Sequence, residues 1–365
     1  MTSESENPIP SSIGVRLADD ETAPTTHVDQ TSQAPDSTAS PIDATETALL
    51  SGDGPRYPTT PEGFSAHGGR FVVVRPHARG GLGEVFVARD AELNREVALK
   101  QIQDRHADNP RHRARFEFEA EITGGLEHPG IVPVYGLGRD LTGRPYYAMR
   151  FIRGESLKEA IERFHKTEKQ NYRDSRQRAL ELRELLGRFI DVCDAIAYAH
   201  SRGVLHRDLK PSNIMLGRYG ETLVVDWGLA KSVDRDDEPA LPSEEAPLRP
   251  SSGSRLNPTM AGLAVGTPAY MSPEQATGQL DIVGPRSDVY GLGATLYQLL
   301  TGHAPCEDEV LADVLRKVAS GEIPAPRSLE PTIPRALEAV CLKAMSVRPE
   351  DRYVSPEELK ADVEL

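Results

Sequence analysis

Residues 204–213 read VLHRDLKPSN. They place a His, two cations, an Asp and an Asn within eight positions, directly after a strongly helical stretch. Upstream, ALELRELLGRFIDVCDAIAYAHSRG (179–203) carries Leu182, Leu185, Leu186, Phe189, Ile190, Cys193, Ile196 and Ala197 at helical spacing, which predicts a long amphipathic helix. Before it, SLKEAIERF (156–164) is helical and HKTEKQNYRDSRQ (165–177) is a polar connector. Downstream, SDVYGLGATLYQLLTG (287–302) and LEAVCLKAM (337–345) are further helices. The quoted decapeptide is therefore a polar loop inside a helical region.

The N-terminal side has a different character. RFVVVRP and GEVFVARD are β-rich runs around a glycine turn, the pattern of a hairpin, and REVALKQI (95–102) is a third strand. A helix spans about 109–127, with Phe116, Ile122 and Leu126 among charges. IVPVYGLG (131–138) and PYYAMRFI (145–152) are two more strands, separated by the turn DLTGRP. The first 65 residues hold eleven Asp/Glu against two Arg and no Lys, a charge of −9 within the total of −14. Rich in Ser, Thr and Pro, they cannot bury enough apolar surface to offset their conformational entropy. They read as a disordered acidic tail, either an inert linker or a phosphorylatable tether.

Composition narrows the classes of function. Three widely spaced cysteines fit neither a disulfide framework nor a zinc site and favour a reducing cytoplasm, with the thiols in the core. No window of about 18 apolar residues spans a membrane. MTSESENPIP lacks the features of a signal peptide, so a cytoplasmic location is expected. No Lys/Arg stripe points to nucleic acid.

Gly80, Gly81 and Gly83 lie in the hairpin turn, where missing side chains let backbone N–H groups approach phosphates. Lys100 lies in a strand interior beside Ala98 and Leu99, where a cation needs an anion unless it snorkels from an edge. Glu119 on the next helix can supply one.

GGLGEVFVA (80–88), VALK (97–100), HRDLKPSN (206–213), VVDWGLA (224–230) and GTPAYMSPE (266–274), in that order, resemble the eukaryotic-like (Hanks-type) protein kinases of the bacterial serine/threonine branch. The resemblance covers 70–363. It implies an α+β, two-lobed kinase fold with a small β-rich N-lobe (70–153) and a larger helical C-lobe (154–363), preceded by the 1–65 tail. It also implies transfer of the γ-phosphoryl of ATP to serine or threonine hydroxyls of protein substrates, with Mg2+ as metal and Mn2+ as a substitute.

By that resemblance Asp208 accepts the proton of the substrate hydroxyl, Lys210 offsets charge on the transferred phosphoryl, and Asn213 and Asp226 hold the metal. Lys100 holds the α- and β-phosphates and pairs with Glu119, chosen over Glu117 and Glu121 by its spacing to HPGIV (128–132). Gly80, Gly81 and Gly83 cover the phosphates. Val85 and Ala98 lie above the adenine and Met215 below. Met149 precedes the hinge, where the backbone of Arg150 and Ile152 reads the adenine edge.

His206 is expected to pack beneath the metal-binding turn, and Arg207 to receive a phosphate on the activation segment. Thr267 should bond around Asp208 and Lys210, Glu274 should pair with Arg352, and Asp288 should hold the catalytic loop from below. Thr259 is the expected site of autophosphorylation in trans, through a transient homodimer. Ser251, Ser252 and Ser254 lie in the same stretch.

Three departures stand out: Ala78 at the first glycine position, Trp227 for the usual Phe, and Arg150 where an acidic residue is common. None removes a catalytic group. Two rivals remain, a nucleotide-binding pseudokinase scaffold and a small-molecule kinase. The complete set of Lys100, Glu119, Asp208, Asn213 and Asp226 argues against the first. Lys210 together with GTPAYMSPE argues against the second.

Overall fold

β-Rich residues on the N-terminal side build a five-stranded antiparallel sheet. Its strands are β1 (Phe71–Arg79), β2 (Gly83–Asp90), β3 (Arg95–Ile102), β4 (Val134–Arg139) and β5 (Pro145–Arg150), in the order β1-β2-β3-β5-β4. The computed structural model describes residues 69–170, 175–232, 248, 266–308 and 310–365, all within the unit Tyr57–Leu365. The 1–65 tail and the activation-segment residues Ser251, Ser252, Ser254 and Thr259 lie outside the described residues.

β3 is paired on both sides, with Lys100 opposite Val85 on β2 and Tyr147 on β5. Lys100 is thus central, which removes the snorkelling reading. The strand predicted over 131–138 begins only at Val134. Pro133 lacks a ladder donor, and Ile131 instead forms an isolated parallel bridge to Val224.

Between β3 and β4 lie a short helix α1 (Asp104–Ala107) and the longer α2 (Pro110–Gly125). Asn109 caps α2: its side-chain oxygen accepts from Arg111 N at 2.9 Å and His112 N at 3.4 Å, and Pro110 fills the first helical position.

The helical side begins with β6 (Gly154–Ser156) and α3 (Leu157–Gln170). Ser156 and Glu159 form a reciprocal capping box at its start. The polar connector expected over 165–177 is mostly helical, because α3 runs to Gln170 and α4 (Ser175–Ser201) starts five residues later. Glu, Lys and Gln are good helix formers, and Glu162 pairs with Lys166 one turn on. Leu157, Ile161 and Phe164 anchor the inner face.

After α4 come three short strands, β7 (Val204–Leu205), β8 (Ile214–Gly217) and β9 (Thr222–Val224), and then β10 (Lys231–Ser232). They form the ribbons β6-β8-β9 and β7-β10. The helices α5 (Pro273–Ala276), α6 (Pro285–Thr301), α7 (Leu311–Ser320), α8 (Pro326–Leu329), α9 (Arg335–Ala344) and α10 (Pro356–Glu364) complete the fold. The main core joins Phe189, Cys193 and Ile196 of α4 to Leu292, Leu296 and Leu299 of α6, with Trp227 beside them. The three cysteines are buried free thiols. Among the described residues no helix is long and apolar enough to cross a membrane.

Candidate active site

The loop 206–213 is shaped by a carboxylate beneath it. Asp288, in the first turn of α6, accepts the backbone N–H groups of His206 and Arg207 and the His200 Nε2–H, each at 2.8 Å. Burial pushes its carboxyl up, but these donors, His200 foremost, hold it below the usual range. The tether matters because Arg207 has a left-handed backbone, φ 68°, which costs energy in a residue with a Cβ. His206 is fully buried. It accepts the Asp208 N–H at Nδ1 (3.3 Å) and donates from Nε2 to Val225 O (3.3 Å), while its ring lies 4.6 Å from Trp227. It supports the turn at Asp226, as expected, and the larger indole at Trp227 is accommodated with no exposed surface.

Above that support, Asp208 is held at both oxygens. Oδ1 accepts Thr267 N–H at 2.8 Å and Oδ2 accepts Lys210 Nζ at 2.6 Å, and Lys210 also donates to Thr267 Oγ1 at 2.5 Å. Asn213 Nδ2 donates to Asp208 O at 2.9 Å, which turns its amide oxygen away from this contact.

Across the cleft, Lys100 Nζ lies 2.5 Å from Glu119 Oε1 and 3.2 Å from Asp226 Oδ1. Burial opposes the ammonium, yet the Glu119 carboxylate, with Tyr147 and Asp226, raises its pKa well above the ordinary value. The same cation holds the Asp226 carboxyl low against burial. Two glycines make the approach feasible. A Cβ at Gly83 would lie 3.1 Å from Lys100 Cε, and one at Gly228 would lie 2.9 Å from Glu119 Oε2.

These groups converge on a cleft of about 310 Å³ lined by Gly80, Gly81, Gly83, Lys100, Glu119, Asp208, Lys210 and Asp226 among others. Asn213 and the predicted adenine set lie outside that lining. Strand register puts Ala98 opposite Met149 and Val85 opposite Lys100, while Met215 lies in β8. The Arg150 N–H donates to Pro133 O at 3.0 Å, and its side chain pairs with Glu221. Ile152 follows, half-buried. A larger groove of about 390 Å³ between α3, α4, β6 and β8 contains none of the predicted site residues.

Two contributors escaped the sequence reading. Tyr147 donates its hydroxyl to Glu119 Oε1 at 2.7 Å, and its register position opposite Lys100 was available from strand alternation. Arg115 donates from Nε to Gly228 O at 2.9 Å. It precedes Glu119 by four residues and so shares its helix face.

The two-lobed fold and this cleft define a protein kinase. A family model of the protein kinase domain matches residues 72–362, and the chain belongs to that family. It is similar to serine/threonine-protein kinase PknD of Protochlamydia amoebophila (strain UWE25), at 38% identity over 296 residues, which is 80% of this chain and 29% of that protein. It is also similar to proteins of the same name from Chlamydia felis (strain Fe/C-56), at 36% over 81% of this chain and 31% of that one, and from Chlamydia pneumoniae, at 37% over the same shares. The chain thus spans under a third of the length of these relatives.

Proposed function

We propose that this chain is an active serine/threonine protein kinase that transfers the γ-phosphoryl of ATP to protein hydroxyls, with 70–363 as its catalytic domain (N-lobe 70–153, C-lobe 154–363). The observation that carries the reading is the convergence of Asp208, Lys210 and Thr267 with Lys100, Glu119 and Asp226 on one cleft. A scaffold without transfer has no use for an Asp whose two oxygens are fixed by Thr267 and Lys210.

In this reading Asp208 takes the proton of the serine or threonine hydroxyl as its oxygen bonds to the γ-phosphorus and the bond to the β-phosphate oxygen breaks. Lys210 offsets charge on the moving phosphoryl, and Lys100, fixed by Glu119, holds the α- and β-phosphates. Val85, Ala98, Met149 and Met215 enclose the adenine, and the backbone at Arg150 and Ile152 reads its edge. The hard oxygen donors of Asp226 and Asn213 suit Mg2+ or Mn2+. When bound, such an ion neutralises phosphate charge and orients the phosphates.

The metal assignment has a direct check. In titration calorimetry, Mg2+ strengthens ATP binding to the wild type and does so far less in Asp226→Asn. Equal strengthening in both would remove Asp226 from the metal site.

Arg207 remains the proposed receptor for an activation-segment phosphate, now with Arg115. Burial, with Arg115 nearby, lowers the Arg207 pKa against the pull of Asp288, and its Nε is buried with no partner, so another anion would be welcome there. Thr259 is the proposed modification, made in trans by a second copy in a transient dimer. Phosphate mapping after incubation with ATP is expected to find Thr259 modified in wild type and not in Asp208→Asn. An unmodified Thr259 in an active preparation would exclude it. Buried free thiols support a reducing, cytoplasmic setting.

A further inference from the structure

Gln103 stands just after β3 and caps α1, yet its side chain makes no bond to that helix. It turns to the glycine-rich loop instead. Its Nε2 donates to Gly80 O at 2.5 Å and lies within 3.4 Å of Gly81 O and 3.5 Å of Gly83 O, while its backbone N–H donates to Leu82 O at 3.0 Å. Arg105 Nη2 and His106 Nε2 reach Gly81 O at 3.3 and 3.2 Å. One short segment therefore grips the carbonyls of four consecutive residues, 80–83.

Gln103 is 2% exposed, and its Oε1 is buried without a partner. Three carbonyls on one side fix which end of the amide is nitrogen. An unpaired buried oxygen is destabilising, so Gln103 gives up stability at one end while it holds the loop at the other.

In a trans peptide the C=O of one residue and the N–H of the next point in opposite directions. Carbonyls of Gly80 and Gly81 drawn toward Gln103 turn the N–H groups of Gly81 and Leu82 away from it, and both residues line the cleft. A Cβ at Gly81 would meet nothing within 4 Å, so no packing holds Gly81 itself, while Leu82 beside it rests on the cluster around Ile102, Ala107 and Phe116. We propose that Gln103 is a positioning residue that holds the glycine-rich loop with its amide N–H groups presented to the nucleotide phosphates. The proposal rests on the kinase reading of the same cleft.

The test compares nucleotides with and without phosphates by titration calorimetry. Gln103→Met keeps the side-chain length and removes the donor. It weakens ATP and ADP binding about tenfold, the scale of one hydrogen bond, and leaves adenosine binding within about twofold. Gln103→Asn, which retains the amide but cannot reach the loop, gives the same pattern, and thermal melts establish that each variant is folded. ATP and adenosine weakened alike, or neither weakened, would overturn the clamp while leaving the kinase reading intact. A wild type that binds neither ligand would overturn both.

Discussion

Replacing Asp208 by Asn leaves a folded protein that still binds ATP, while phosphoryl transfer falls by about 100- to 10,000-fold, the usual contribution of a positioned general base. The substitution is nearly isosteric. It keeps an oxygen for the Thr267 N–H at Oδ1, and it removes both the proton acceptor and the ion pair with Lys210 at Oδ2. Side-by-side kinetics with a protein acceptor check the loss, and calorimetry with ATP checks that binding survives. A variant within about threefold of wild type would mean that Asp208 is not the base, since that is well under the usual contribution of one.

The second large effect is on stability. Arg352 and Glu274 are both buried and meet in a bidentate pair at 2.8 Å. Every Arg352 donor is satisfied: Nε by Ser346 O, Nη1 by Glu274 and Arg286 O, and Nη2 by Glu274 and Val347 O. Ser287 Oγ donates to the same carboxylate at 2.7 Å. Burial pushes the Glu274 carboxyl up, but Arg352 holds it below its ordinary value, so the charged pair persists.

Arg352→Ala strands that charge and costs about 3–5 kcal/mol, a large share of the roughly 5–15 kcal/mol that a domain has. Replacing both partners by apolar residues, Glu274→Leu with Arg352→Met, recovers much of the loss, because no charge is then left unpaired. Urea midpoints of the three variants are the measurement. A loss below about 1 kcal/mol in Arg352→Ala is the scale of an exposed pair and would show that the pair does not anchor the segment around Glu274. The sign with pH follows from the depressed carboxyl. The contribution is full above the unfolded value and is lost as pH falls through the folded one.

Much of this was legible because local pattern and local chemistry agree. GEVFVARD and REVALKQI are short runs rich in β-branched and other apolar residues, and they form β2 and β3 over the same residues. Glu119 was separable from Glu117 and Glu121 only through the spacing to HPGIV that the family resemblance supplies, and Glu117 in fact pairs with Arg139 on β4. Other features depend on contacts remote in sequence. Tyr147 reaches Glu119 across 28 residues, and Gln103 reaches Gly80 across 23. The very short strands β6 to β9 carry too few residues for a period to show. The run into 170 reads as a connector because HKTEKQ (165–170) holds no apolar residue from which a helical stripe could be read.

The central claim is phosphoryl transfer to serine or threonine by this cleft, and one experiment addresses it most directly. The chain is incubated with Mg2+ and γ-labelled ATP, with myelin basic protein as a generic acceptor, and the labelled protein is hydrolysed in acid. The account predicts labelled phosphoserine or phosphothreonine in the acceptor and in the chain itself. Binding of ATP with no label transferred to either protein, or label found only on tyrosine, would contradict it.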